Sequence, residues 1–220
     1  MKNLLRAAAI AVASTALVAG GTVTAAQAAP GDSASIGVQD TALNGFKGTT
    51  SKVIPVTLTS NRTAVYATVN VNGVPVAGDV FVSSSGFIYQ QAWGAGVVSL
   101  SNLKDRSGAA GQAVAGGSNP FTVRYGLSLD NGAKITKRGK KLTFKVKLRY
   151  VNAAGGLTGL RKAKLQAKKG SKWRTVKNVK LKKNGTRTVK ISDRKKRSYR
   201  LVIKPTGVYE GTIYRSRGKI

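Results

Sequence analysis

Strict alternation of apolar and basic residues is the feature that most narrows how this chain folds. Leu142, Phe144, Val146, Leu148 and Tyr150 share one parity, while Lys141, Lys145, Lys147 and Arg149 share the other. The division recurs with Ala163, Leu165 and Ala167 against Lys162, Lys164 and Lys168, and with Val189 and Ile191 against Lys190. It returns once more with Tyr199, Leu201 and Ile203 against Arg200 and Lys204. A repeat of two is the side-chain period of a strand, whereas a helix repeats every 3.6 residues. Each segment therefore predicts a strand with an apolar inner face and a basic outer face. Several of them predict an antiparallel sandwich. Lys169-Gly170-Ser171 and Asn184-Gly185 supply turns, and residues 194–197 read as a solvated loop between two strands.

Upstream, short strands separated by turns are predicted as well. Val65, Ala67, Val69 and Val71 alternate with Tyr66, Thr68 and Asn70, and Asn72-Gly73 follows as a hairpin signal. Pro75 confines the next segment to an edge or a short arm. Further strands are expected at 53–58, 80–82, 87–91, 95–100 and 121–127, with the Gly/Ala-rich stretch 107–118 as a loop. No segment after the leader has helical periodicity.

Charge divides the chain. Residues 29–128 carry six basic residues and four acids, a net +2, whereas residues 129–220 carry 30 basic residues and three acids, a net +27. The break falls near 127–131, where Asp130-Asn131-Gly132 offers turn chemistry, and it predicts a domain boundary. The total of 38 Lys and Arg against 7 Asp and Glu gives a formal charge of +31. Hydrophobic residues nevertheless make up 41% of the chain, enough for packed cores and too many for a disordered polycation.

The leader predicts export. Lys2 and Arg6 precede an apolar run over 7–19 that is too short to span a bilayer, and Ala26-Gln27-Ala28 matches a small-x-small cleavage site. The expected signal peptide is 1–28, with a mature chain from Ala29. No later apolar run is long enough for a transmembrane helix. Lys204-Pro205-Thr206-Gly207 only faintly resembles a sortase motif, lacks its Leu and hydrophobic tail, and reads as a loop.

With no Cys and no His, the chain has no disulfide, thiolate nucleophile, lipid-anchor cysteine, imidazole base or HExxH zinc site. The acids form no local pair, and no DxDxDG loop or phosphate-binding loop occurs. Two S-x-x-K matches, at Ser101-Asn102-Leu103-Lys104 and Ser192-Asp193-Arg194-Lys195, leave Ser-Lys catalysis as the one open enzymatic route. Both fall in expected β loops rather than at helix starts. No enzyme activity, cofactor or metal is assigned. Phe144, Tyr150 and Tyr199 share the inner parity and are expected in the core. Trp173 is expected to pack there too, and Trp93 to sit in a weakly patterned, exposed loop.

The segment from Lys164 to Ile203 resembles the Ig-like β-sandwich module of secreted actinomycete proteins. Leu165-Gln166, Gly170-Ser171, Trp173-Arg174-Thr175-Val176, Asn184-Gly185 and Tyr199-Arg200-Leu201 fill the places of that module's recurring pattern. The resemblance implies an Ig-like fold and a non-catalytic role for the basic half, whose Lys/Arg density departs from the module's pattern. The expected fold class is all-β: two antiparallel Ig-like β-sandwich domains, at 29–128 and 129–220, after a cleaved signal peptide.

For an exported chain the charge points to anionic partners: cell-wall or other extracellular polymers, nucleic acid through its phosphates, or peripheral contact with an anionic membrane. The resemblance tilts the reading toward the Gram-positive envelope. The candidate polyanion-binding residues are Lys141, Lys145, Lys147, Arg149, Lys162, Lys164, Lys168, Lys190, Arg194, Lys195, Lys196, Arg197 and Arg200. The alternatives are an extracellular nucleic-acid binder, a secreted Ser-Lys hydrolase and a cationic toxin or inhibitor.

Overall fold

The computed structural model describes residues 32–48, 50–216 and 218–220; the expected signal peptide lies outside the described residues. The described chain is built from strands. In order they are β1 (Ser33–Gly37), β2 (Thr41–Ala42), β3 (Ser51–Ile54), β4 (Thr57–Ser60), β5 (Ala64–Val71), β6 (Val74–Ser83), β7 (Phe87–Gln90), β8 (Gly96–Lys104), β9 (Ala115–Ser118) and β10 (Phe121–Arg124). There follow β11 (Gly132–Arg138), β12 (Lys141–Lys147), β13 (Arg149–Val151), β14 (Leu157–Gly159), β15 (Lys162–Lys169), β16 (Lys172–Lys180), β17 (Thr186–Ser192), β18 (Tyr199–Ile203) and β19 (Thr212–Arg215). One 3₁₀ turn, Gln91–Trp93, sits between β7 and β8.

β1 to β10 enclose one hydrophobic cluster, running from Ala34 to Tyr125. Its largest sheet has the order β2-β10-β8-β5-β6, flanked by β4-β1-β9 and the β3-β7 pair. The Asn72-Gly73 hairpin forms as expected, with both residues at positive φ (52° and 80°). Pro75 does lie in an edge strand, although β6 is ten residues long. Three expectations need correction. The stretch 53–58 is two strands, because the Pro55-Val56 step interrupts it. The pairing is not wholly antiparallel: β1 runs parallel to β9, and β2 parallel to β10. The glycine-rich 107–118 stretch is not all loop, since it ends in β9. A Cβ on Gly116 would stand 2.0 Å from the Ala34 carbonyl oxygen, so its glycine permits a close strand approach.

The second cluster lies between two sheets, β11-β12-β17 and β16-β15-β18-β19. Leu142, Phe144 and Val146 of β12 meet Ala163, Leu165 and Ala167 of β15 and Tyr199 and Leu201 of β18. Phe144 and Tyr199 touch edge to face at 5.4 Å between centroids. The parity of two therefore decides this core, and the outward positions of the same strands are left to polar or basic residues except Val202 of β18. Asn184-Gly185 connects β16 to β17, which belong to opposite sheets, so it is a sheet-crossing turn and not a hairpin.

The two clusters meet at an aromatic stack. Tyr150 lies between Tyr125 and Tyr209 at centroid distances of 5.6 and 5.5 Å, and it packs against both cores. Backbone bonds from Tyr125 N to Val208 O (2.8 Å) and from Val151 N to Gly126 O (3.1 Å) fasten the seam.

Candidate functional site

The three-stranded sheet turns a concave basic face outward. Register fixes its layout in three rows across β11, β12 and β17. Lys134 stands opposite Lys145 and Thr188; Thr136 opposite Thr143 and Lys190; Arg138 opposite Lys141 and Ser192. Strands lie about 4.8 Å apart and successive rows about 7 Å apart. With Lys140 at the β11–β12 turn, six cations and the hydroxyls of Thr136, Thr143 and Ser192 line a shallow concavity of about 690 Å³. No carboxylate lines it.

This arrangement opposes like charges. Lys134 is paired directly across from Lys145, and Arg138 from Lys141. Like charges in that position destabilise a sheet by a few tenths of a kcal/mol to about 1 kcal/mol per pair. An anion seated between them removes the repulsion and gains hydrogen bonds from ammonium and hydroxyl donors. The face is thus organised for negative charge, and the row spacing of about 7 Å repeats that organisation along the strands.

The candidate residues divide by location. Lys141, Lys145 and Lys190 come together in this concavity. Lys162, Lys164 and Lys168 lie on the outward parity of β15, and Arg200 on that of β18, on the opposite side of the sandwich. Arg194, Lys195 and Lys196 are exposed on the loop before β18. Three others are tied to acids: Lys147 and Arg149 both pair with Asp130, and Arg197 pairs with Asp193 at 2.9 Å. The hydrogen bonds from Lys147, Ser128 and Arg149 hold the Asp130 carboxyl well below the usual range, outweighing the desolvation that opposes them. Its negative charge accordingly offsets these neighbours at neutral pH.

Sequence reading did not name Lys134, Arg138 or Lys140, because 132–138 had no strand assigned to it. Its signal was present: Lys134, Thr136 and Arg138 alternate with Ala133 and Ile135.

The aromatic expectations divide too. Phe144 and Tyr199 are buried. Trp173 is not in the core; it is half-buried on the outer face of the four-stranded sheet, with the Arg200 guanidinium 4.5 Å from its ring centroid. Its parity partner across the strand is Lys168, an outward residue, which is why it faces out. Trp93 is half-buried and packs edge to face on Tyr89 at 5.0 Å.

Of the two S-x-x-K matches, Ser101 accepts a hydrogen bond from Asn70 Nδ2 (2.9 Å), while Lys104 donates to Asp79 (3.1 Å). Ser192 lines the basic concavity, and the amide of Lys195 caps Asp193. Among the described residues no helix is long and apolar enough to cross a membrane, and no group of three or more metal-ligating side chains assembles.

No family model matches the chain, and no curated protein matches it. Five solved chains do. One is a chain from Bacteroides uniformis ATCC 8492 bearing the name "putative carbohydrate binding protein", at 12% identity and a TM-score of 0.26 over 86% of this chain and 97% of that one. A superposition that loose carries no argument about this chain's ligand.

Proposed function

We propose that this chain is an exported, non-catalytic binding protein whose basic half docks on anionic cell-envelope polymer. The observation that carries the reading is the carboxylate-free concavity on β11-β12-β17, with five cations and three hydroxyls in register and Lys140 at the adjoining turn. The leader sequence and the likeness of 164–203 to secreted actinomycete modules favour the envelope over other polyanions. Lys heads act as point charges toward phosphate, and five of the six cations are Lys, which favours a phosphodiester polymer. The concavity has no aromatic side chain on which a base would stack, so single-stranded nucleic acid is the less favoured polyanion.

Co-sedimentation of the full chain with purified Gram-positive sacculi tests this. Retention is expected on intact sacculi, with release by salt and by removal of the phosphodiester polymer. Retention that survives polymer removal, or that duplex DNA abolishes while free wall polymer does not, overturns the proposal.

A further inference from the structure

We infer that the four-stranded sheet carries a second, separate anionic-polymer site on the far side of the sandwich, so that one chain bridges two polymer strands. The inference rests on the docking reading above and adds a second point of attachment to it. At the β16-β15-β18 end of this sheet lies a second concavity, of about 380 Å³, with Val202 and Tyr209 in its apolar floor and Lys162, Lys164, Lys180 and Lys204 at its rim, and no carboxylate lines it either. Lys162 and Lys180 are directly opposed across β15 and β16, as Arg200 and Arg215 are across β18 and β19. The like-charge opposition that marks the first face therefore marks the second as well, although Arg200 also stacks on Trp173.

The two faces cannot share one short anionic segment. Packed sheets lie about 10 Å apart, and lysines projecting outward from both place their ammonium heads roughly 20 Å apart. That exceeds the Debye length of about 8 Å at physiological salt, so each face attracts its own counter-charge. The parity of two imposes this geometry: alternate residues that fill the core from both sides force the basic alternates onto opposite exteriors. A protein with one docking patch holds to a polymer, whereas one with two back-to-back patches ties polymer strands together.

Inorganic polyphosphate serves as probe for the full chain, in short form for stoichiometry by calorimetry and in long form for cross-linking by light scattering. One variant removes the first face (Lys141→Gln, Lys145→Gln, Lys190→Gln) and another the second (Lys162→Gln, Lys164→Gln, Lys180→Gln), each checked for a melting transition no lower than that of the wild type, since both remove like-charge pairs. The expected result is about two short oligomers per wild-type chain and about one per variant. Scattering with long polyphosphate should rise and then fall as polymer is added in excess, and neither variant should produce it. One short oligomer per wild-type chain with salt-sensitive binding intact overturns bridging and leaves docking standing, as does a one-face variant that cross-links like wild type. Absence of any polyphosphate binding overturns both.

Discussion

Asp193 holds together three groups at the rim of the basic half. It accepts hydrogen bonds from the Tyr199 hydroxyl (2.7 Å), Arg197 Nε (2.9 Å) and the Lys195 amide (2.9 Å). Tyr199 is fully buried, and burial together with Asp193 pushes its hydroxyl well above the ordinary range. Asp193→Ala leaves that hydroxyl without a partner and should cost about 1–3 kcal/mol, while Tyr199→Phe removes donor and need together and should cost about 0.5–1.5 kcal/mol. Denaturant titration of both and of the double variant checks this; the double should cost no more than Asp193→Ala alone, because Tyr199→Phe removes the orphaned hydroxyl. At this scale the sequence was legible where parity ruled, as for Phe144 and Tyr199. It was silent on pairing, because Asp130 meets Lys147 and Arg149 only once β12 and β13 fold back past the 128–131 turn. Trp173 was misread because a bulky aromatic ring suggests a core, whereas a neighbouring guanidinium gave it an outer-face partner.

Among elements, the turn at Asn184-Gly185 most depends on its residue. Gly185 has φ of +78°, and a Cβ there would lie 2.0 Å from the Leu148 carbonyl oxygen. Gly170, in the β15–β16 hairpin, has φ of +61° but open space around it. Gly185→Ala should therefore cost more than about 2 kcal/mol and Gly170→Ala only about 1 kcal/mol, as thermal melts of the two will show. The contrast explains what sequence reading of elements captured and what escaped it. Alternation located β5, β12, β15, β17 and β18 because each has one wet face. Strand partners such as β9 for β1 escaped, since a glycine-rich strand held by close backbone approach has no side-chain period to read. Which sheet a strand joins was equally hidden, because a crossing turn and a hairpin turn use the same Asn-Gly pair.

For the whole molecule, charge and burial set the response to solvent. The carboxyls of Asp32, Asp40, Asp79, Asp105, Asp130 and Asp193 are all held below their ordinary value by hydrogen bonds and cationic neighbours. A lowered folded-state pKa gives stability that is complete above the unfolded value near 4 and lost as pH falls through the folded value. With no His in the chain, melting temperature should be flat between about pH 5 and 8 and fall below about pH 4. A bound polyanion should raise it throughout the flat range, because a ligand that binds only the folded state stabilises it. The basic half's asymmetry was visible in composition alone, but its distribution over two opposite exteriors needed the sheet order.

The most direct measurement is the dependence of affinity on salt for the full chain and soluble wall polymer, with and without Lys141→Gln, Lys145→Gln and Lys190→Gln. Each polymer phosphate deprived of its lysine should reduce the slope of log K against log salt by roughly 0.7–0.9, so the triple variant should bind more weakly and with a slope shallower by about 2–3. An unchanged slope and affinity in that variant would contradict the account.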